Sequence, residues 1–302
     1  MIRVATIPFQ RSMQSSIAIS QDRLTKTQTQ LATGKKANSL SELGDSAPRV
    51  LAAQTLLAAQ DAQGANATRL GTTLSLYDAN INNIDAAAGT LRTQIMTALG
   101  TGQTVGLQGA VEQAFQEIRS ALNANSGGGP LFSGSQADPQ PFKPASVAGT
   151  IGQTPDTAFT SDDVRASARV GDNLDVTYGI NAKELGSGML AVFRTLAEVG
   201  TIGATPTAAQ TAALKAAVSQ LDTATSEVRT INGENGRKQE QVETLATRAD
   251  ERGSLLKSVI SEAVDADYGQ IATNLQQEQM MLKASYSVFG QLAGMSLVDY
   301  IR

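Results

Sequence analysis

The apolar positions of this chain fall on two long seams separated by a proline-rich middle. In the first half, Leu70, Leu74, Tyr77, Ile81, Ile84, Ala88, Leu91 and Ile95 follow one another in alternating steps of four and three. That period places one apolar stripe on one side of a helix and predicts a helical partner for it. Pro48 suits the first turn of this helix, and the glycines of GTGQTVG at 100–106 suit its end. A second helix is predicted over about 107–124, with Leu107, Val111, Phe115, Ile118 and Leu122 on one face, stopped by NSGGGP at 125–130. In the second half the same alternation runs through Leu214, Ala217, Leu221, Ala224, Val228, Ile231, Asn235, Lys238, Val242, Leu245, Ala249, Arg252, Leu256 and Val259. Asn235, Lys238 and Arg252 are polar and Gly233 and Gly236 stand nearby, so the seam should weaken there. A continuous helix of this span would be roughly 70 Å long. A compact sphere of this chain length would have a radius of gyration of only about 19 Å. The expectation is therefore an elongated, mainly α rod: an antiparallel coiled coil or helical bundle in which the N-terminal helices pack against the C-terminal one.

Proline placement supports the same division. No proline lies between 49 and 129 or after 206, and six stand at 130, 139, 141, 144, 155 and 206. Proline breaks helix interiors, so the clean stretches permit long helices and the middle does not. Within it, SARVGDNLDVTYGIN at 167–181 alternates Val170, Leu174, Val176 and Tyr178 around Gly and Asp-Asn turn signals, the pattern of strands. Phe132, Phe142, Phe159, Tyr178 and Phe193 fall in this region and predict a small β-containing inserted domain with a modest core of its own. A helix is predicted to follow at about 185–199. The stretch GPLFSGSQADPQPF at 129–142 reads as a hinge: Leu131 and Phe132 anchor it, and Gly134 with the Pro-Gln-Pro run turns the chain. Five segments result: an N-terminal amphipathic assembly helix at 1–40, rod helices and hinge at 41–142, the inserted domain at 143–200, the C-terminal rod helix at 201–264, and a C-terminal assembly helix at 265–302.

The two ends carry shorter stripes. Ile17, Leu24 and Leu31 recur by seven, with Met13 one turn earlier. At the other end Leu275, Leu282 and Phe289 recur by seven, Met281, Val288 and Met295 form an adjacent stripe, and Ile271 and Leu292 widen the face. Helices are expected over about 10–32 and 268–297. Such faces either complete an intramolecular bundle or pair across subunits. A chain with a sticky helix at each end is a candidate polymer subunit, because non-closing contacts between unlike ends build helical tubes.

Composition narrows the chemistry. The 302 residues contain no Cys and no His. Disulfides, thiol catalysis and zinc–cysteine sites are excluded, and so are the usual general base near neutral pH and the commonest metal ligand. A net charge of -4 with no basic run gives nucleic-acid binding no support. No uninterrupted apolar segment is long enough for a membrane span, and Pro8, Gln10 and Arg11 interrupt any apolar signal region. The carboxylate pairs Asp162-Asp163 and Asp265 with Asp267 read as turn and helix-cap chemistry rather than catalysis. Gly127-Gly128-Gly129 lacks a following Gly-Lys-Ser/Thr and reads as a helix breaker, not a phosphate loop. No catalytic, cofactor or metal residue is assigned, and no cofactor is expected.

Three segments resemble a known family. QLATGKKANS at 30–39, PLFSGSQADPQPF at 130–142 and DADYGQIATNLQQEQMMLKASYSVFGQLAGMSLVDYIR at 265–302 are similar to segments of the bacterial flagellins and, among them, of the hook–filament junction (hook-associated protein 3) family. The FSGS stretch and the SLVDYIR ending carry the resemblance to the junction family; the bulk filament flagellin is the alternative. The resemblance implies a structural protein of the flagellum, extracellular, that joins hook to filament and seeds flagellin polymerisation. It implies a hook-side junction protein and flagellin as partners, self-association into a ring or tube, and unfolded delivery through the flagellar export apparatus with a chaperone. Ile17, Leu24, Leu31, Ile271, Leu275, Met281, Leu282, Val288, Phe289, Leu292 and Met295 are then the expected assembly contacts.

Overall fold

The computed structural model describes residues 3–136, 140–171 and 174–301, with side chains described at 8 and 11–291. Helix α1 spans Arg3–Thr33, α2 Ala47–Thr101, α3 Leu107–Leu122, α4 Pro155–Ala158, α5 Ala182–Glu198, α6 Ala208–Val264 and α7 Tyr268–Ile301. Strands β1, Ala166–Gly171, and β2, Leu174–Tyr178, pair antiparallel, with Ala168 opposite Val176. The fold class is the expected mainly α one with a small β insertion. Helix α1 begins earlier than the apolar pattern predicts, and Pro8 lies within it. The contacts divide the chain into two compact units: Met1–Ala59 with Glu251–Arg302, and Gln60–Asp250.

In the second unit α2 and α6 run antiparallel. Arg92 meets Asp222, Asp85 meets Arg229, Asn82 meets Asn232, and Leu74 meets Asn235 and Gln239, one number falling as the other climbs. Every residue of the predicted α2 seam, from Leu70 to Ile95, is buried, as are Leu214, Ala217, Leu221, Ala224 and Val228 of α6. The shared buried face stabilises both helices, since neither stripe would be stable alone in water. Helix α6 runs through Gly233 and Gly236 unbroken. At that level the seam turns polar instead. Buried Asn235 donates from Nδ2 to the Leu74 carbonyl at 2.9 Å, and Gln239 donates to the same carbonyl at 2.9 Å.

Residues 143–200 do not build a core of their own. Phe159 stacks on Phe142, Phe142 on Phe115 of α3, and Phe115 on Phe193 of α5, at 5.0, 6.0 and 5.1 Å between ring centres. These rings belong to one continuous cluster with the α2 and α6 seams. The difference has a simple cause: α5 is amphipathic, and two short strands offer it too little apolar surface. Of the four alternating strand positions only Val170 and Val176 are buried, while Leu174 is exposed. The Asp-Asn turn at 172–173 and Pro139 lie outside the described residues.

The LFSGS stretch is held tightly within this unit. Leu131 and Phe132 are buried, and Phe132 packs on Tyr77 of α2 at 5.3 Å. The Phe132 carbonyl accepts the Ala182 N–H at 2.8 Å, the Ser161 hydroxyl accepts that of Lys183 at 3.2 Å, and Asn181 Oδ1 accepts that of Glu184 at 2.6 Å. The first N–H groups of α5, which no helix can satisfy internally, are thereby paired. Asp162 closes the turn: its carboxylate accepts from the Ser135 hydroxyl and, at 2.8 Å, from the Ser135 N–H. These bonds hold the Asp162 carboxyl below its ordinary range. Gly134 has φ +68°, and a Cβ there would meet the Asp162 carboxylate and lie 2.7 Å from its carbonyl oxygen. Only glycine takes that conformation without strain.

Candidate assembly surface

The first unit is organised around α1 and α7. Gln21 donates to the Tyr286 hydroxyl at 2.6 Å, and Gly34 lies against Tyr268, so the two helices are antiparallel. Two of the segments that resemble the flagellin family meet here. Lys35 and Asp265 form an antiparallel bridge, with the Lys36 N–H on the Val264 carbonyl at 2.7 Å and the Ala266 N–H on the Gly34 carbonyl at 2.9 Å. The Lys36 ammonium donates to the Glu262 carbonyl at 2.5 Å, placing a cation at the C-terminal end of α6, where the helix dipole favours it. Asp267 caps α7 by accepting the Gly269 and Gln270 N–H groups at 2.8 and 3.2 Å, the role its position predicted. Gly34, at φ +68°, closes α1; a Cβ there would lie 2.6 Å from the Tyr268 hydroxyl.

The two α7 stripes have different fates. Leu275, Leu282 and Phe289 are half-buried and Ile271 is buried. Met281 and Val288, on the adjacent stripe, are exposed, and Met280 beside them more so. On α1, Ile17 and Leu24 are half-buried and Leu31 is exposed. The side chains of Leu292 and Met295 lie outside the described residues. Apolar spacing alone missed two kinds of position. Thr27, a buried polar residue midway between Leu24 and Leu31, belongs to the inner face of α1 with half-buried Ser20 and Gly34. Small and polar, these residues carry no apolar signal. Ile19 and Tyr286 are exposed apolar positions off the seven-residue repeat.

The paired carboxylates serve structural roles: Asp162 on Ser135, Asp163 accepting from Asn181 at 2.9 Å, Asp267 on α7, and Asp265 accepting from Ser261 at 2.5 Å. Among the described residues no three metal-ligating side chains gather, and no helix is long and apolar enough to cross a membrane. The open groove between α2 and α6, lined by Arg92, Asp222, Arg229 and hydroxyl residues, holds charges already paired with one another.

No protein-family model and no curated protein matches the chain. Solved structures do. A Vibrio parahaemolyticus protein described as a flagellar hook-associated protein is 15% identical, covers 74% of this chain and 100% of its own, and superimposes with a TM-score of 0.60. The Bacillus cereus protein FlgL is 16% identical, covers 70% of this chain and 99% of its own, with a TM-score of 0.58. At this level of identity the likeness is one of fold, and the fold of this chain is that of these two flagellar proteins.

Proposed function

We propose that the chain is a non-catalytic structural component of the bacterial flagellum, and that it forms the junction between hook and filament. The observation that carries this reading is the division of α7. One stripe is half-buried on the helix pair, while Met280, Met281 and Val288 stay open to water. Large apolar side chains left open on one helix are candidates for contact with another chain. The fold likeness to a hook-associated protein and to FlgL supports the same reading, as do the LFSGS and SLVDYIR segments. In this reading α1 and α7 carry the contacts between subunits, and one end of the assembly meets the hook-side protein while the other seeds flagellin. The export apparatus and a chaperone deliver the chain before assembly.

Immunogold electron microscopy of intact cells, with antibody against residues 143–200, tests the placement. A narrow band at the distal end of the hook is expected. Label along the whole filament would replace the junction by a bulk flagellin, and absence of label from the flagellum would overturn the proposal.

A further inference from the structure

The apolar seam of α2 does not by itself fix how α6 is aligned on it. Leu70, Tyr77, Ile84 and Leu91 recur by seven, Leu74, Ile81, Ala88 and Ile95 do the same, and all are buried. Sliding α6 by seven residues, about 10 Å along the axis, would set apolar positions against apolar positions again. A flanking row of residues distinguishes these alignments. On α2, Gly64, Gly71, Asp78, Asp85 and Arg92 lie seven apart. On α6, Lys215, Asp222, Arg229, Gly236, Glu243 and Asp250 do the same. The structure joins the two rows at three levels. Arg92 pairs with Asp222, Asp85 pairs with Arg229, and a Cβ on Gly64 would lie 3.7 Å from the Asp250 carboxylate. One alignment serves all three, because each step of seven down α2 is a step of seven up α6. It leaves Asp78 level with Gly236 and Glu243 level with Gly71, so in this row no two acids meet.

We propose that this row of charges selects the register of α2 on α6 as the chain folds, by repulsion in the alternatives as much as by attraction in the one observed. Shifting α6 by seven in one direction sets Arg92 against Arg229 and Asp78 against Glu243. Shifting it in the other sets Arg92 against Lys215 and Asp85 against Asp222, with a single attraction, Asp78 against Arg229. The observed register has two attractions and no like pair. The pairs are exposed, so each contributes little to stability. Like charges cost about as much as unlike charges gain, and the difference between alignments is the sum of several such contacts. The row therefore acts on the choice of register more than on the stability of the finished fold.

The test uses the full-length chain, which has no cysteine, so that introduced pairs report the register. N82C/N232C replaces two side chains that touch at 3.0 Å and marks the observed register. N82C/T225C lies one heptad off, about 10 Å further along the axis, where no disulfide forms unless α6 is shifted. The charge exchange R92D/D222R keeps both native ion pairs in reversed or original sense, and turns the two repulsions of that shifted register into attractions. Each cysteine pair is refolded from urea with oxidised glutathione, with and without the exchange, and the disulfides are quantified by mass spectrometry. N82C/N232C should close in both backgrounds. The N82C/T225C disulfide should be at least about ten-fold more abundant with R92D/D222R than without it. Equal amounts in the two backgrounds, or none in either, would show that the rest of the core holds the alignment and would overturn the proposal. Salt provides a second measurement that needs no exchange. Refolding in about 1 M sodium chloride, which screens exposed charges, should raise the shifted disulfide several-fold in the chain with its own charges. A shifted disulfide indifferent to salt would overturn the proposal as well.

Discussion

Replacing Phe132 by Ala tests whether the LFSGS stretch is a pliable hinge or a fixed joint. The side chain is fully buried, packed on Tyr77 at 5.3 Å, and its carbonyl holds the first N–H of α5. Truncating a buried Phe costs about 3–5 kcal/mol, of which the ring pair supplies roughly 0.5–1.5. With an m-value of about 2–3 kcal/mol per molar urea, the unfolding midpoint should fall by ~1–2 M. A second readout comes from Tyr77 itself. Burial, with a smaller push from Tyr178, raises its phenol to about 12. Because the folded chain favours the neutral phenol, this group's contribution to stability is complete below the ordinary value near 10. It is lost as the pH rises from there to about 12, a loss of roughly 2–3 kcal/mol. Opening a cavity beside the ring should admit water and return the titration toward 10, seen by tyrosinate absorbance at 295 nm. A midpoint shift under ~0.3 M with an unchanged alkaline titration would refute the fixed joint, since a mobile hinge makes Phe132 nearly neutral to replace.

Gly134→Ala should destabilise by about 2 kcal/mol or more, from the left-handed backbone and the clash with Asp162, measured by thermal unfolding; a neutral result would contradict the turn geometry. Asp162, held low by the Ser135 hydroxyl and N–H, and Asp156, held low by Lys183, contribute stability that is present above the ordinary carboxylate range. That contribution is lost as the pH falls through their folded values, so Asp162→Asn should flatten the acid side of the stability profile. Met281→Asp, at an exposed position of α7, should leave the helical content unchanged by circular dichroism while abolishing assembly, and a large loss of helix would show that α7 and the rest of the fold are not separable in this way.

How much of this was legible in the sequence depended on which force placed each residue. The α2 seam was readable to the residue because burial against α6 repeats with the helix, and every position from Leu70 to Ile95 obeys it. The ends of α2 and α3 were readable because glycine and proline act locally. The core under 143–200 was not, because aromatic burial says that a ring is covered but not by what. Phe159 reaches Phe115 and Phe193 only through Phe142, a chain of contacts no local pattern contains. On α1 the inner face intersperses half-buried Ile17 and Leu24 with Ser20 and Thr27, so part of it carried no apolar signal. On α7 both stripes were visible, but sequence could not say that one is covered and the other open.

The recognisable segments and the exposed surface do different work. QLATGKKANS pairs with DADYG through backbone bonds, a capping Asp and a left-handed glycine, and LFSGS fastens α5 through a carbonyl, a carboxylate and another left-handed glycine. Each is an internal joint whose geometry admits few residue types, which is why each is recognisable as a string of letters. The exposed apolar residues of α7 (Met280, Met281, Tyr286 and Val288) and of α1 (Ile19 and Leu31) obey no such rule. Any apolar side chain of suitable size satisfies a packed interface on our side, and the choice among them is set by the partner. Specificity for one neighbour over another should therefore reside in residues that carry no motif. A chain with the joints intact and the α7 face exchanged for that of a flagellin should fold as this one does and change only what it assembles with.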